Sequence, residues 1–176
     1  TAIKWTAERS ESFITDAHGR DHITHAKLGL DADGNFTALK VETYANMGAY
    51  LSTFASSVPT YLYATLLAGV YKTPVIYANV KAIFTNTVPV DAYRGAGRPE
   101  ASYLLERIVD KAARETGLDQ VDIRTKNMIA PDAFPYQTPV ALAYDSGDYQ
   151  ATLASAMKLA NVDGFSERRN LSESHG

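Results

Sequence analysis

A chain of 176 residues, 45% hydrophobic and 21% charged, has an ordinary globular composition and length enough for one substantial core or for a piece of something larger. It has no cysteine, which removes disulfides, thiol nucleophiles and thiolate ligands for zinc or iron–sulfur clusters; redox chemistry then needs a cofactor from outside the chain. The net charge of -3 argues against non-specific binding to nucleic acid, and no apolar run approaches the roughly 18 residues of a membrane span.

In chain order, Ile3, Lys4 and Trp5 read as a short strand. The polar run Thr6 to Ser12 reads as a helix start capped by Thr6 or Ser10, or as a charged loop. Three of the four histidines follow, at 18, 22 and 25. On a helix, His18 and His22 would share one face and suit a metal, but Gly19 and the sequence after it read as a strand, so no metal site is expected. The clearest local element is a hairpin, His22–Leu30 and Phe36–Met47, joined by the turn Asp31-Ala32-Asp33-Gly34-Asn35, with the Leu39/Val41 side facing the core.

From Ser52 to Gly69 there is no charged side chain, which predicts burial, with a helix over 59–68 stopped by Gly69. A strand over 78–87 leads to Asp91-Ala92-Tyr93-Arg94-Gly95-Ala96-Gly97-Arg98-Pro99-Glu100. Pro99 opens an amphipathic helix along Leu104, Leu105, Ile108 and Ala112 that Gly117 ends. Asp119 caps a second helix that stops before Pro131. Residues 130–148 read as an irregular arm with prolines at 131, 135 and 139, and two helices follow, 149–159 and 165–171. The expected fold is therefore α+β. A β-rich part (1–90) carries an antiparallel or mixed sheet, a loop (91–100) follows, and an α-rich part (101–176) packs helices on the sheet, all in one domain.

The stretch 91–100 is the candidate site. A strand-to-helix turn displays unpaired N–H groups, two glycines permit close approach of another group, and Arg94 and Arg98 add positive charge. Those features suit an anion or a polar cofactor. Gly95-Ala96-Gly97-Arg98-Pro99-Glu100 begins like a dinucleotide fingerprint but places Glu100 at its third glycine and Pro99 in the helix start. The elements before it also read as antiparallel, so a nicotinamide or flavin site ranks low. A non-catalytic anion-binding or assembly module is the other reading of the residues alone.

The run Ala92-Tyr93-Arg94-Gly95-Ala96-Gly97-Arg98-Pro99-Glu100-Ala101 resembles the signature loop of the large, molybdenum-binding subunit of the xanthine dehydrogenase/aldehyde oxidase/carbon monoxide dehydrogenase family. Lys4-Trp5-Thr6-Ala7-Glu8-Arg9-Ser10-Glu11, Ala17-His18-Gly19-Arg20 and Arg124-Thr125-Lys126-Asn127-Met128 agree with that family in order. The resemblance implies an internal fragment of a molybdopterin-binding domain from a bacterial molybdenum hydroxylase. Such an enzyme carries molybdopterin, in its cytosine dinucleotide form, and oxidises a small molecule with oxygen drawn from water. It passes electrons to iron–sulfur clusters and FAD on other domains or subunits of an oligomeric, cytoplasmic or periplasmic parent.

On the same resemblance Tyr93, Arg94, Gly95, Ala96 and Gly97 bind the cofactor, with Arg94 held in the loop by neighbouring carbonyls or tuning the site's charge. Leu62 and Ala96 line the substrate pocket. Gly95 stands where copper-containing carbon monoxide dehydrogenases carry a cysteine, and Leu62 and Ala96 stand where purine oxidisers carry an arginine and an aromatic. An aldehyde or apolar N-heterocycle is the expected substrate, and a carbon monoxide dehydrogenase-like subunit without the copper cysteine is an alternative. The glycine-rich loop and the general-base glutamate of the family lie outside these residues, so the chain alone holds no catalytic residue and is expected to be inactive, without tightly bound molybdopterin.

Overall fold

The computed structural model describes residues 1–175. In order they form α1 (Arg9–Thr15), β1 (His22–Leu30), β2 (Phe36–Gly48), a π-helical turn (Ser57–Leu62), β3 (Ile76–Phe84), α2 (Arg98–Thr116), α3 (Gln120–Asn127), a 3₁₀ turn (Pro131–Ala133), the short strands β4 (Tyr136–Gln137) and β5 (Ala143–Tyr144), α4 (Tyr149–Leu159) and α5 (Phe165–Ser174). The fold is α+β, as the alternation and cap signals predict. Among these residues no helix is long and apolar enough to cross a membrane.

The hairpin forms where the turn residues place it. Asp31 accepts at Oδ1 from the N–H of Asp33 (3.0 Å) and of Asn35 (2.8 Å), so the carboxylate itself closes the turn. Along β2 the side chains alternate strictly from Leu39 to Ala45, with Leu39, Val41, Thr43 and Ala45 buried between exposed Lys40, Glu42 and Tyr44. β1 pairs antiparallel with β2, and β3 pairs parallel on β2's other side, in the order β1-β2-β3. The sheet is thus mixed, within the expected antiparallel or mixed arrangement, with β3 as the one parallel partner among elements whose local pattern reads as antiparallel. The parallel pairing is made possible by the long crossover through the π-helical turn, which no local sequence signal announces.

Two expectations fail. Ile3 to Trp5 form no strand; they are exposed, Trp5 at 71%, because no neighbouring strand pairs with them. The uncharged stretch 52–69 is only partly buried. Val58, Tyr63 and Leu67 are inside, but Phe54 and Tyr61 are more than 60% exposed, and the predicted regular helix is a π-helical turn followed by looser turns.

The core lies between the sheet and α2. Leu39, Val41, Tyr63, Leu67, Ala101 and Leu105 form one cluster; Phe36, Tyr71, Val109, Ala112, Ala113, Ile123 and Met128 form a second at the far end of α2. Burial of each large side chain contributes roughly 1.5–3 kcal/mol, which fixes α2 across the sheet. Gly117 ends α2 at φ 75°, and Asp119 caps α3 by accepting from Val121 N–H at 2.7 Å and Asp122 N–H at 3.1 Å, both as predicted.

A polar seam locks α3 in place. Buried Asn127 accepts from Phe36 N–H (2.7 Å) and donates to the carbonyls of Gly34 (3.0 Å) and Ile123 (2.8 Å). Arg124 bridges Glu106 and Asp110 at 2.8 Å each, and Tyr71 Oη donates to Glu106 at 2.8 Å. Desolvation by burial, with Glu106 beside it, pushes the Tyr71 hydroxyl pKa upward, while the Arg124 hydrogen bond holds the Asp110 carboxyl below the usual range.

Candidate functional site

The candidate loop begins at Asp91, both of whose carboxylate oxygens are occupied: one accepts from its neighbour Ala92 N–H at 2.6 Å, the other from the Ser52 hydroxyl. Its main chain is pinned by the segment before β1. His18 N–H donates to Pro89 O at 2.9 Å and Asp91 N–H to His18 O at 2.8 Å, a short parallel bridge that lays residues 17–20 along the loop's entry. Asn46 holds the same segment from the sheet, donating to Asp21 through Nδ2 at 2.7 Å and through its N–H at 3.0 Å.

Gly95, Ala96 and Gly97 lie in succession at φ 110°, 43° and 90°. This left-handed run reverses the chain within a few residues and carries it into α2, through the hydrogen bonds Ala96 N–H to Tyr93 O (2.9 Å) and Arg98 N–H to Gly95 O (3.1 Å). Gly97 is also required for space. A Cβ there would stand 2.7 Å from Tyr63 N, 2.9 Å from Val58 O and 3.1 Å from Leu62 C. The loop therefore rests directly on the main chain of the π-helical turn, next to Leu62.

Tyr93, Arg94 and Gly95 are exposed, and among the described residues their three consecutive main-chain N–H groups donate to nothing. Leu62 and Ala96 are half-buried, and Tyr61 is exposed. The three unbonded N–H groups form a small cradle of donors. Consecutive unbonded N–H groups in a turn that leads into a helix concentrate partial positive charge and suit an anionic or oxo-rich group. The expected holding of Arg94 is different in detail. Its carbonyl is held, by the Arg20 guanidinium, whereas no bond of its own side chain is found among the described residues.

Arg20 was not singled out by sequence reasoning, although it closes the Ala17-His18-Gly19-Arg20 stretch. Its guanidinium donates to the Arg94 carbonyl, lies 4.7 Å from the centroid of the Tyr93 ring, and has Nε 3.8 Å from Glu100 Oε2. Gly19 makes the approach possible: a Cβ there would come within 2.8 Å of Tyr93 Cβ. The signal in the sequence is the Gly-Arg pair, whose partner lies 74 residues away.

Behind Arg20 a groove of about 760 Å³ runs between β1 and α2, lined by His22, Thr24, Glu100, Tyr103 and Arg107 among others. Neither Leu62 nor Ala96 lines it, so the expected substrate-pocket residues lie outside this groove. His22 packs edge-on against Tyr63 at 4.7 Å, and Tyr63, Thr43 and Thr24 join hydroxyls at 3.2 and 3.0 Å. Burial pushes the His22 pKa below the ordinary imidazole value, against an opposing pull from Glu100. Instead of sharing a helix with His18, His22 opens β1, and among the described residues no cluster of three or more acidic and histidine side chains could hold a metal ion.

Residues 1–128 match the family model described as molybdopterin cofactor-binding domain. Similar proteins include the 6-hydroxypseudooxynicotine dehydrogenase complex subunit gamma of Paenarthrobacter nicotinovorans, 33% identical over 170 residues, which are 94% of this chain and 21% of that one. The carbon monoxide dehydrogenase large chain of Hydrogenophaga pseudoflava is 37% identical over 160 residues, 88% of this chain and 20% of that one. Quinoline 2-oxidoreductase from Pseudomonas putida 86 superposes with a TM-score of 0.89 at 29% identity, over 98% of this chain and 22% of that one. The chain spans about a fifth of the length of these relatives.

Proposed function

The chain belongs to the molybdopterin cofactor-binding domain family, and from that premise we propose that it forms one wall of a molybdenum centre in a larger oxidoreductase, a molybdenum hydroxylase. The observation that carries the proposal is the donor cradle: three consecutive N–H groups, at the exposed residues Tyr93, Arg94 and Gly95, leading into the left-handed turn of residues 95–97. That donor set fits an anionic cofactor. Tyr93, Arg94, Gly95, Ala96 and Gly97 hold it, and the cofactor, when bound, supplies the redox centre at which substrate is oxidised with oxygen from water. This chain's own part is to present main-chain donors in a fixed arrangement and to keep bulky side chains away from them.

The substrate reading follows from size and charge. Leu62 and Ala96 supply apolar surface and no ionic clamp, which favours an aldehyde or an apolar N-heterocycle over a purine. Gly95 has no thiolate with which to hold copper, which disfavours carbon monoxide despite the likeness to a carbon monoxide dehydrogenase large chain. The cofactor is proposed in its cytosine dinucleotide form, with iron–sulfur clusters and FAD on partner domains or subunits; relatives named as a complex subunit and a large chain support a multi-subunit parent.

The test is a substrate panel on the purified full-length parent with an artificial electron acceptor. Oxidation of aromatic aldehydes or N-heterocycles, with molybdenum near one per protomer, is the expected result; efficient oxidation of xanthine or carbon monoxide while aldehydes are ignored rejects the substrate assignment. The 176-residue chain by itself is expected to hold no stoichiometric molybdenum and to turn nothing over. A non-catalytic anion-binding or assembly role would be supported by a parent that binds no molybdenum.

A further inference from the structure

The loop's conformation is costly, and its local hydrogen bonds do not explain why it persists. Three successive residues sit in the left-handed region, one of them Ala96, for which that region costs roughly 1–2 kcal/mol. Exposed turns of this kind relax unless surrounding groups over-determine them. Between Tyr93 and Arg98 the main chain closes two hydrogen bonds on itself, and among the described residues no main-chain hydrogen bond ties residues 93–95 to Leu62 or to the sheet.

The geometry points to Arg20 as the positioning residue of the donor cradle. One planar guanidinium makes three distinct engagements: it donates to the Arg94 carbonyl, it lies over the Tyr93 ring at 4.7 Å, and it faces Glu100 Oε2 at 3.8 Å. Two of these grip the first two residues of the cradle, one by its main chain and one by its side chain. The third ties the grip to the first turn of α2. Because the Arg94 carbonyl is bonded on the Arg20 side, the peptide that follows is fixed in orientation, and with it the N–H of Gly95 that points away.

Glu100 is built for this task. Its side chain is only 9% exposed, and Oε2 has no hydrogen-bond partner among the described residues, so Arg20 is the charge that compensates it. A carboxylate in the first turn of a helix is favoured by the helix dipole as well, which fixes where it sits. The other end of the clasp is equally constrained: Arg20 itself adopts φ 60°, between the His18 bridge to residues 89–91 and the Asp21 link to Asn46. A lysine would keep the charge beside Glu100 but has no planar fork to reach a carbonyl, a ring face and a carboxylate together.

This inference rests on the reading of residues 93–97 as the cofactor wall, and its test separates the two. In the full-length parent, hydrogen–deuterium exchange of peptides covering 92–98 is compared with peptides from β1 and β2, and molybdenum per protomer is measured beside it. Arg20→Ala is expected to speed exchange at the loop's hydrogen-bonded amides, those of Ala96 and Arg98, by about tenfold, the equivalent of one lost charge-assisted hydrogen bond, with sheet exchange unchanged and molybdenum content lowered. Arg20→Lys recovers part of the protection. Because Arg20→Ala strands a buried carboxylate, Arg20→Ala/Glu100→Gln is measured too, and is expected to keep the fast loop while restoring the chain's stability.

Unchanged loop exchange in both alanine variants, full recovery with lysine, or equal loss of protection in β1 and β2 overturns the assignment. If wild-type parent holds no molybdenum, the cofactor reading falls, while the exchange data still decide the clasp. If wild-type parent is loaded and loop exchange ignores Arg20, the clasp falls alone.

Discussion

The two ends of α2 are built on opposite plans. At the C-terminal end the polar groups answer one another: Asn127 makes three hydrogen bonds, Arg124 engages two carboxylates, and Gly117 and Asp119 close one helix and open the next. At the N-terminal end the chain runs through a left-handed turn, leaves three N–H groups facing outward, and depends on Arg20, remote in sequence, for its shape. One end spends its polar groups on itself. The other keeps them available, and its order has to be imposed from outside the segment, which is what a binding surface on a stable scaffold requires.

The sharpest way to probe that contrast is at the satisfied end. Asn127→Ala orphans Phe36 N–H and two carbonyls inside the core, and is expected to lower stability by about 3–4 kcal/mol in chemical denaturation, since each buried polar group left without a partner costs roughly 1–3 kcal/mol. A loss below 1 kcal/mol would mean that the seam is not what locks α3. Gly97→Ala should come next, at about 2–3 kcal/mol, because the new Cβ meets main-chain atoms of Tyr63 and Val58 at a φ that side chains rarely adopt. It should also free the loop, seen as increased protease nicking between residues 92 and 98. If Gly97→Ala instead leaves the loop as protected as before, the two ends of α2 are less different than their geometry says.

Gly117→Ala separates backbone strain from crowding. Its φ is 75°, but a Cβ there would meet nothing within 4 Å, so only the conformational cost remains, about 1 kcal/mol by the same denaturation measurement. The smallest effect expected is from pH. His22 has its pKa lowered in the folded state by desolvation, so the unfolded chain takes up a proton first as pH falls below about 6.5. Stability is then full above that value and declines beneath it, and His22→Gln should flatten the slope in a melting series between pH 5 and 7. A slope that survives His22→Gln assigns the acid sensitivity to other groups.

What could be read from the sequence is what short-range chemistry dictates. The β1–β2 turn follows from the Asp31 carboxylate bonding its own neighbours, the end of α2 from Gly117, and the start of α3 from Asp119; each acts within five residues. The loop at 91–100 was legible both as a donor-rich turn and by resemblance. What remained hidden depends on residues far apart: the parallel partner of β2, the seating of Gly97 on residues 58–63, and the clasp from Arg20. The error over Ile3–Trp5 has the same root, because apolar residues were read as a strand when no partner strand comes near them. Similarly, the absence of charge between 52 and 69 signalled burial, yet Phe54 and Tyr61 face outward.

The parallel crossover between β2 and β3 also sets an order of events. The β1–β2 hairpin closes through neighbours in sequence, whereas β3 can join only after the segment 49–75 has been drawn round to β2's free side, a slower step that loop-closure entropy governs. The ledge on which Gly97 rests lies inside that segment. Residues 93–97, which rest on that segment through Gly97, can therefore take their final shape only once it is in place.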